Sequence, residues 1–454
     1  MPLDALQEAL ARAANTFSAT QRTVSVVFVF LNSSFESTPA SDMRRVGQTV
    51  KKTLAMRRLL TSNTKIFGCS SAHYVGPDKE PSVSVALAHF PGGTTLSTFH
   101  IDENNNFSID WKQKQWHDIV GIPPDTEGQL QIFLLHHPEY EHMGELIAGL
   151  DFAYPGVRKF GASAGKTNAL HDECLFHGDD RSRREGVIGL AFSSPDVQID
   201  VMVAQGARGV GPVLEVLEVK DGNEITRVKE VNTPGATIAP PMVLLDMWAK
   251  TDNISYDERL QARKYLLLGV EVPKVADLAI SSLSPDRTKE EVPESQKPID
   301  MVIRKVVGFN EATKSIGVDG DVRLGSRVQF QIRDDEAARA ELYSLFNKMS
   351  LEGSSKAMEG LSLMGALLLV DVERGANLFG DATPDADRAL FADRFPVPLA
   401  VLTSDRQIGP LPAGGLLGAA GNTFSLSASA LYITFFGRVS EAKIATRDED
   451  SSNR

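Results

Sequence analysis

A strand–helix–strand pattern that recurs three times constrains this chain more than any other feature. The first copy has a β-rich run from Val24 to Leu31, a helical pattern from Asp42 to Leu60, and a second β run from Lys65 to Ala72, KIFGCSSA. The second copy runs through Gln131 to His136, His142 to Phe152, and Lys159 to Gly165, KFGASAG. The third runs through Ala366 to Val372, Ala386 to Phe395, and Pro398 to Asp405, PLAVLTSD. A helix in each connection predicts a crossover between parallel strands, with the helix covering a sheet face. Small residues close each second strand, which lets backbones approach closely or leaves room for a ligand.

Further β-rich sequence follows each copy. Ser82 to His89 alternates, Gly186 to Phe192 and Gln198 to Ala204 predict a strand pair, and Thr423 to Phe436 reads as one long strand or two. Crossovers mixed with antiparallel runs predict an α+β fold: two related domains of mixed sheets with crossover helices on the outer faces. The expected division is an N-terminal helix (1–22), a first domain (23–250) and a second (251–439), the boundary falling near Lys250 to Asp257. Ser284 to Pro298 (SPDRTKEEVPESQKP) predicts a disordered insertion, and residues 440–454 a loose polar tail.

The densest single block is Ile303 to Phe346. Ser315 to Val318 reads as a strand, Asp319-Gly320 as a tight turn, and Val328, Phe330 and Ile332 alternate with polar residues as a second strand. Asp334 or Asp335 then offers a short carboxylate to cap a helix whose apolar stripe is Ala338, Leu342, Leu345 and Phe346.

A chain of 454 residues with 42% hydrophobic and 23% charged content supports two or three globular cores. Its formal net charge of −12 argues against nucleic acid as a partner. The basic run Arg181 to Arg184 reads as a solvated loop beside Asp179 and Asp180. Two cysteines, Cys69 and Cys174, make no disulfide framework and fit a reducing compartment. No apolar run nears the ~20 residues that span a bilayer, and the acidic Ala/Leu-rich start is unlike a secretory signal. The expected location is cytoplasmic.

Several short motifs invite chemistry and fall short of it. Gly161 to Thr167 (GASAGKT) resembles a phosphate loop, but only three residues separate its glycines where that loop needs four. Gly161-x-Ser163-x-Gly165 matches a nucleophile elbow literally, without a convincing acid–histidine pair or a helix after it. His171, Asp172, Glu173, Cys174 and His177 are potential metal ligands with no distant partner pair. His136-His137-Pro138 closes a strand and leaves two readings, a histidine facing a pocket or, more commonly, a capped loop histidine. No catalytic set, metal or cofactor is expected from the residues.

Three segments resemble the FIST family, sensory-type proteins built from FIST_N and FIST_C domains. Ile303 to Phe346 is similar to the FIST_C signature, and Gln205 to Pro212 (QGARGVGP), which reads as a glycine-rich turn between strands, to the segment that ends the FIST_N core. Arg374-Gly375 with Leu399 to Pro410 is similar to a later FIST_C segment. The resemblance implies a small-molecule-binding sensory or regulatory protein, amino acids being among the proposed ligands. The alternative it implies is a protein-interaction scaffold or ubiquitin-ligase-type adaptor, here without an F-box or an output domain. Departures from the pattern fall at Ala207, Asp371, Arg406 and Gln407. The expected ligand site gathers Arg208, Gly209, Gly211, Ser163, Gly165, Arg374, Gly375 and Gln407 at a domain junction. The two arginines would anchor a carboxylate there. The competing expectation is that both arginines make internal salt bridges.

Overall fold

The computed structural model describes residues 2–18, 22–32, 43–72, 83–102, 110–165, 174–178, 181–231, 237–249, 259, 266–271, 301–410 and 423–438. The expected insertion, the tail, the Lys250 to Asp257 boundary and residues 166–173 lie outside them. All three repeated units are present and share one topology. In the first, β1 (Val26–Asn32) and β2 (Lys65–Ser71) pair in parallel across helix α2 (Val46–Met56). In the second, β5 (Gln131–His136) and β6 (Arg158–Ser163) flank helix α4 (Met143–Ala153). In the third, β17 (Leu361–Asp371) and β18 (Leu399–Ser404) are again parallel, with helix α8 (Ala386–Arg394) between them. Each first strand also pairs antiparallel on its other side. The partners are β3 (Val83–Ala88), β9 (Val187–Ser193) and β21 (Ala430–Arg438) respectively.

Both faces of these strands are buried, which accounts for their unbroken apolar runs. Phe28, Phe67, Phe133, Phe160, Leu367, Leu369, Leu402 and Ile433 form one central core shared by the three units. The Phe133 ring centroid lies 5.1 Å from that of Phe67 and 5.2 Å from that of Phe160, near the preferred range for aromatic pairs. The alternate residues point outward under helices. Val27 and Val29 meet Leu6 and Leu10 of α1 (Pro2–Ser18) and Val50 of α2. Ile132 and Leu134 meet Trp116 of α3 (Gln113–Val120) and Leu146 of α4. Ala366 and Leu368 meet Phe346 of α6 (Asp335–Met358) and Phe391 of α8. The class is α+β, as the alternation of crossover and antiparallel strands predicts.

A closed six-stranded barrel stands beside these layers, ordered β11-β12-β15-β14-β13-β16. Its strands are β11 (Ala207–Lys220), β12 (Glu224–Glu230), β13 (Leu267–Glu271), β14 (Met301–Asn310), β15 (Ser315–Val318) and β16 (Arg327–Arg333). Strands from either side of residues 250/251 share its wall. They also share sheets elsewhere: β10 (Val197–Ala204) pairs with β21, and the short β19 (Gln407–Gly409) pairs with β6.

Four local expectations are corrected. The strands at Val187–Ser193 and Val197–Ala204 do not pair with each other, because β9 is held by β5 and β4 (Thr95–Ile101), and β10 by β21. Asp319-Gly320 closes no hairpin; β15 pairs with β12 and β14, and β16 with β11 and β13. The QGARGVGP segment is no turn: from Ala207 on it opens the 14-residue β11, whose register slips between Val210 and Leu214. Arg181–Arg183 is a short strand, β8, paired with β7 (Leu175–Gly178). Thr423 to Phe436 divides into β20 (Phe424–Leu426) and β21. Of the two aspartates offered as helix cap, Asp334 takes the role, its Oδ1 accepting from the Ala337 amide at 2.9 Å.

Candidate functional site

All three parallel pairs end at one place. Each second strand closes on a serine set opposite the last residue of its first strand: Ser71 beside Asn32, Ser163 beside His136, and Ser404 beside Asp371. The three ends are sewn into a triangle. The Ala72 amide donates to the Thr403 carbonyl at 2.7 Å and the Ser71 hydroxyl to the same oxygen at 2.9 Å, joining β2 to β18. The Gly165 amide donates to the Ser70 carbonyl at 2.8 Å and the Ser70 hydroxyl to the Gly165 carbonyl at 3.0 Å, joining β2 to β6. The Ser163 amide donates to the Arg406 carbonyl at 2.9 Å and the Arg406 amide to the Ser163 Oγ at 3.3 Å, closing the triangle. The small residues serve close approach here. A Cβ added to Gly165 would lie 2.3 Å from the Ser71 carbonyl oxygen.

The register carries a polar row across the junction. Gln407 lies opposite Ala162 and Ile408 opposite Gly161, which sets Arg406 opposite Ser163, itself opposite His136. Directly opposed residues share a sheet face, so an imidazole, a hydroxyl and a guanidinium stand in line. His136 is 4% exposed, and its Nδ1 faces the His137 carbonyl at 2.8 Å. That carbonyl only accepts, so Nδ1 carries the proton and Nε2 the lone pair. Burial pushes the His136 pKa down to about 4; the His137 carbonyl opposes this and the Arg406 charge adds to it. His136 is therefore neutral at pH 7. Arg406 is exposed and has no ion pair among the described residues.

The opposite face carries Gln407, fully buried, whose Nε2 donates to the Ser404 carbonyl and hydroxyl at 3.3 and 2.9 Å. Its Oε1 has no hydrogen-bond partner among the described residues. Behind it, Lys305 stands 3.3 Å from the buried Asp371 and 3.7 Å from Glu373. Burial alone would lower the Lys305 pKa, but these two carboxylates outweigh it and raise it. Arg333 also bonds Glu373. The four departures from the FIST pattern thus gather in one region: Ala207 packs in a small cluster with Ala428, whose amide bonds Asp371, and the Lys305 ammonium reaches back to the Asp405 carbonyl beside Arg406.

Ser163, Gly165 and Gln407 of the expected site meet at this junction. The other members group elsewhere. Arg374 is 1% exposed, and its Nε and Nη2 each reach the Asp387 carboxylate at 2.8 Å. Burial would lower its pKa; the Asp387 carboxylate reverses that and raises it. Gly375 caps the short helix that follows, its carbonyl accepting from Leu378 and Phe379. Arg208 donates through Nε to Asp334 at 2.8 Å, the same carboxylate that caps α6. A Cβ on Gly206 would meet the Arg374 Nη1 at 2.6 Å, so the QG and RG segments do touch, around internal ion pairs. Gly209 lies against the Gln329 side chain, which donates to the Gly211 carbonyl at 2.8 Å. Sequence reasoning passed over the His136–Ser163–Arg406 row because strand register is non-local. The signal available was the serine closing each of KIFGCSS, RKFGAS and LAVLTS.

The FIST N domain model matches residues 25–230. That stretch of the chain is a FIST N domain. The match covers the first two repeated units and runs into the barrel, and it marks this half as a sensory, signal-transduction type of domain. An uncharacterised protein of Mycobacterium bovis is 26% identical over 344 residues, covering 74% of this chain and 74% of its own. An uncharacterised protein of Mycobacterium tuberculosis is 25% identical over 340 residues, covering 74% of this chain and 75% of its own. Among the described residues no helix is long and apolar enough to cross a membrane.

Proposed function

We propose that this FIST protein is a small-molecule-binding sensory or regulatory module whose ligand sits at the three-strand junction. The observation that carries the reading is the convergence itself. Three crossover units point the carboxyl ends of their parallel strands at one spot, the position where open α/β sheets commonly bind ligands. Ser163, Gly165, Arg406 and Gln407 would line it, with His136 beside them. Residues 251–439 are read as the FIST_C-type partner that supplies the third unit, so that the site forms only when both halves are present. A thermal-shift screen of the full chain against charged and neutral metabolites tests this, since a ligand that binds only the native state raises its melting temperature. A library in which no compound shifts the melting temperature would sink the reading.

A scaffold is the second reading, and one feature favours it. Tyr343, Leu351 and Met358 are 56%, 74% and 85% exposed along α6, on the side away from its buried residues Leu342, Phe346 and Met349. Affinity capture with a Leu351→Glu, Met358→Glu control distinguishes partners that use this helix from background.

A further inference from the structure

We infer that the His136–Ser163–Arg406 row is a recognition site for a small oxyanion, a carboxylate or a phosphate, with Arg406 as its charged anchor. The inference rests on the small-molecule reading above and names the ligand's chemistry. The register puts the three side chains on one face at adjacent strand ends. Each has a hydrogen-bonding capacity that the described fold leaves open. Among the described residues the Arg406 guanidinium has no carboxylate partner, although Asp405 precedes it in sequence. The Ser163 Oγ already accepts from the Arg406 amide, so its hydroxyl proton points to another acceptor. His136, held by its Nδ1 bond to the His137 carbonyl, presents a lone pair at Nε2.

An oxyanion matches this set in a way that a neutral or cationic ligand does not. A planar guanidinium and a hydroxyl can both donate to one carboxylate or phosphate group. The His136 lone pair then selects a ligand that carries a donor next to its anion, such as a hydroxyl, an ammonium or the remaining proton of a phosphate monoanion. A second cation stands nearby, its charge offset by Asp319 and Asp321. Arg304 of β14 donates to the Ser425 carbonyl at 2.6 Å, and Ser425 lies opposite Ile408, two residues beyond Arg406. The partly buried pairs Lys305–Asp371 and Arg333–Glu373 are each neutralised internally nearby. Arg406 therefore remains as the exposed charge at the mouth of the row.

Calorimetric titration of the full chain with inorganic phosphate, with malate and with neutral malamide, at constant ionic strength, tests the assignment. Phosphate or malate should bind to the native protein, and malamide should not. Arg406→Gln should weaken the binding about ten- to a hundredfold, the loss expected for one charge-assisted hydrogen bond. Arg406→Lys, which keeps the charge and loses the fork, should fall between. Because Arg406 is exposed, both variants should keep the unliganded melting temperature. Binding of phosphate alone or malate alone supports the site and tells which oxyanion it takes. Equal affinity in Arg406→Gln, or no heat from either anion, overturns the inference. Should malamide bind while the anions do not, the oxyanion assignment falls and the small-molecule reading stands.

Discussion

Replacing Gly165 with alanine tests the junction where it is tightest. The added Cβ would lie 2.3 Å from the Ser71 carbonyl oxygen, 2.4 Å from its carbon and 2.5 Å from the Ala72 nitrogen. All three are backbone atoms of the neighbouring strand end, so no side chain can swing aside. Relief requires the end of β6 to move off β2. That motion gives up the Gly165 amide bond to the Ser70 carbonyl and the Ser70 hydroxyl bond to the Gly165 carbonyl. Two such bonds contribute about 2 kcal/mol together, and forced overpacking adds about 1–3 kcal/mol. The lower chain entropy of alanine in the unfolded state offsets about 0.4–1 kcal/mol. The net expectation is a loss of about 2–5 kcal/mol, read as the displacement of the urea denaturation curve followed by circular dichroism. Gly144, in the first turn of α4, has nothing within 4 Å of an added Cβ. Gly144→Ala should leave stability unchanged or raise it by up to about 1 kcal/mol. If Gly165→Ala denatures within about 0.5 kcal/mol of the unaltered protein, the strand ends are not in contact and the triangle is wrong.

Arg374→Ala leaves Asp387 buried without its partner and should cost about 3–5 kcal/mol in the same denaturation assay; a cost below about 1 kcal/mol would show that the pair is not buried. Asp334→Ala removes a helix cap and should cost about 1 kcal/mol, whereas Arg208→Ala should cost less, because Arg208 is 39% exposed and solvent screens its pair; the reverse order in melting temperature contradicts the cap. His136 titrates near 4 in the folded protein, below its ordinary 6.5. The unfolded chain therefore takes the proton first as pH falls. The stability due to neutral His136 is complete above about pH 6.5 and is lost on the way to pH 4, by up to about 3 kcal/mol. His177, lowered to about 4 by burial first and the His100 charge second, acts in the same direction. Denaturation curves from pH 7 to pH 4.5 should show the decline, and His136→Gln should make it shallower; a flat profile in the unaltered protein refutes the burial of these imidazoles.

The sequence by itself determined what short-range periodicity can encode. The three strand–helix–strand units were legible because each strand is a run of apolar residues covered on both faces, and each crossover helix carries its own apolar stripe. The Asp334 cap was legible for the same reason, since a carboxylate and the amide it serves are three residues apart. Only the tertiary structure decided how the units share walls. Asp319-Gly320 has the chemistry of a hairpin turn, yet its flanking strands each found better partners in a barrel built from both halves of the chain. The candidate site was half legible. Ser163, Gly165 and Gln407 carried local signs, small residues at a strand end and a departure from a family pattern. Arg374 carried the same kind of sign, but the buried Asp387 thirteen residues on claims its guanidinium. Arg406 joined the site only because three-residue β19 pairs with β6, some 240 residues earlier, in one register and not the next. A one-residue slip would turn every side chain of that strand to the other face, and no local pattern in so short a strand could settle that choice.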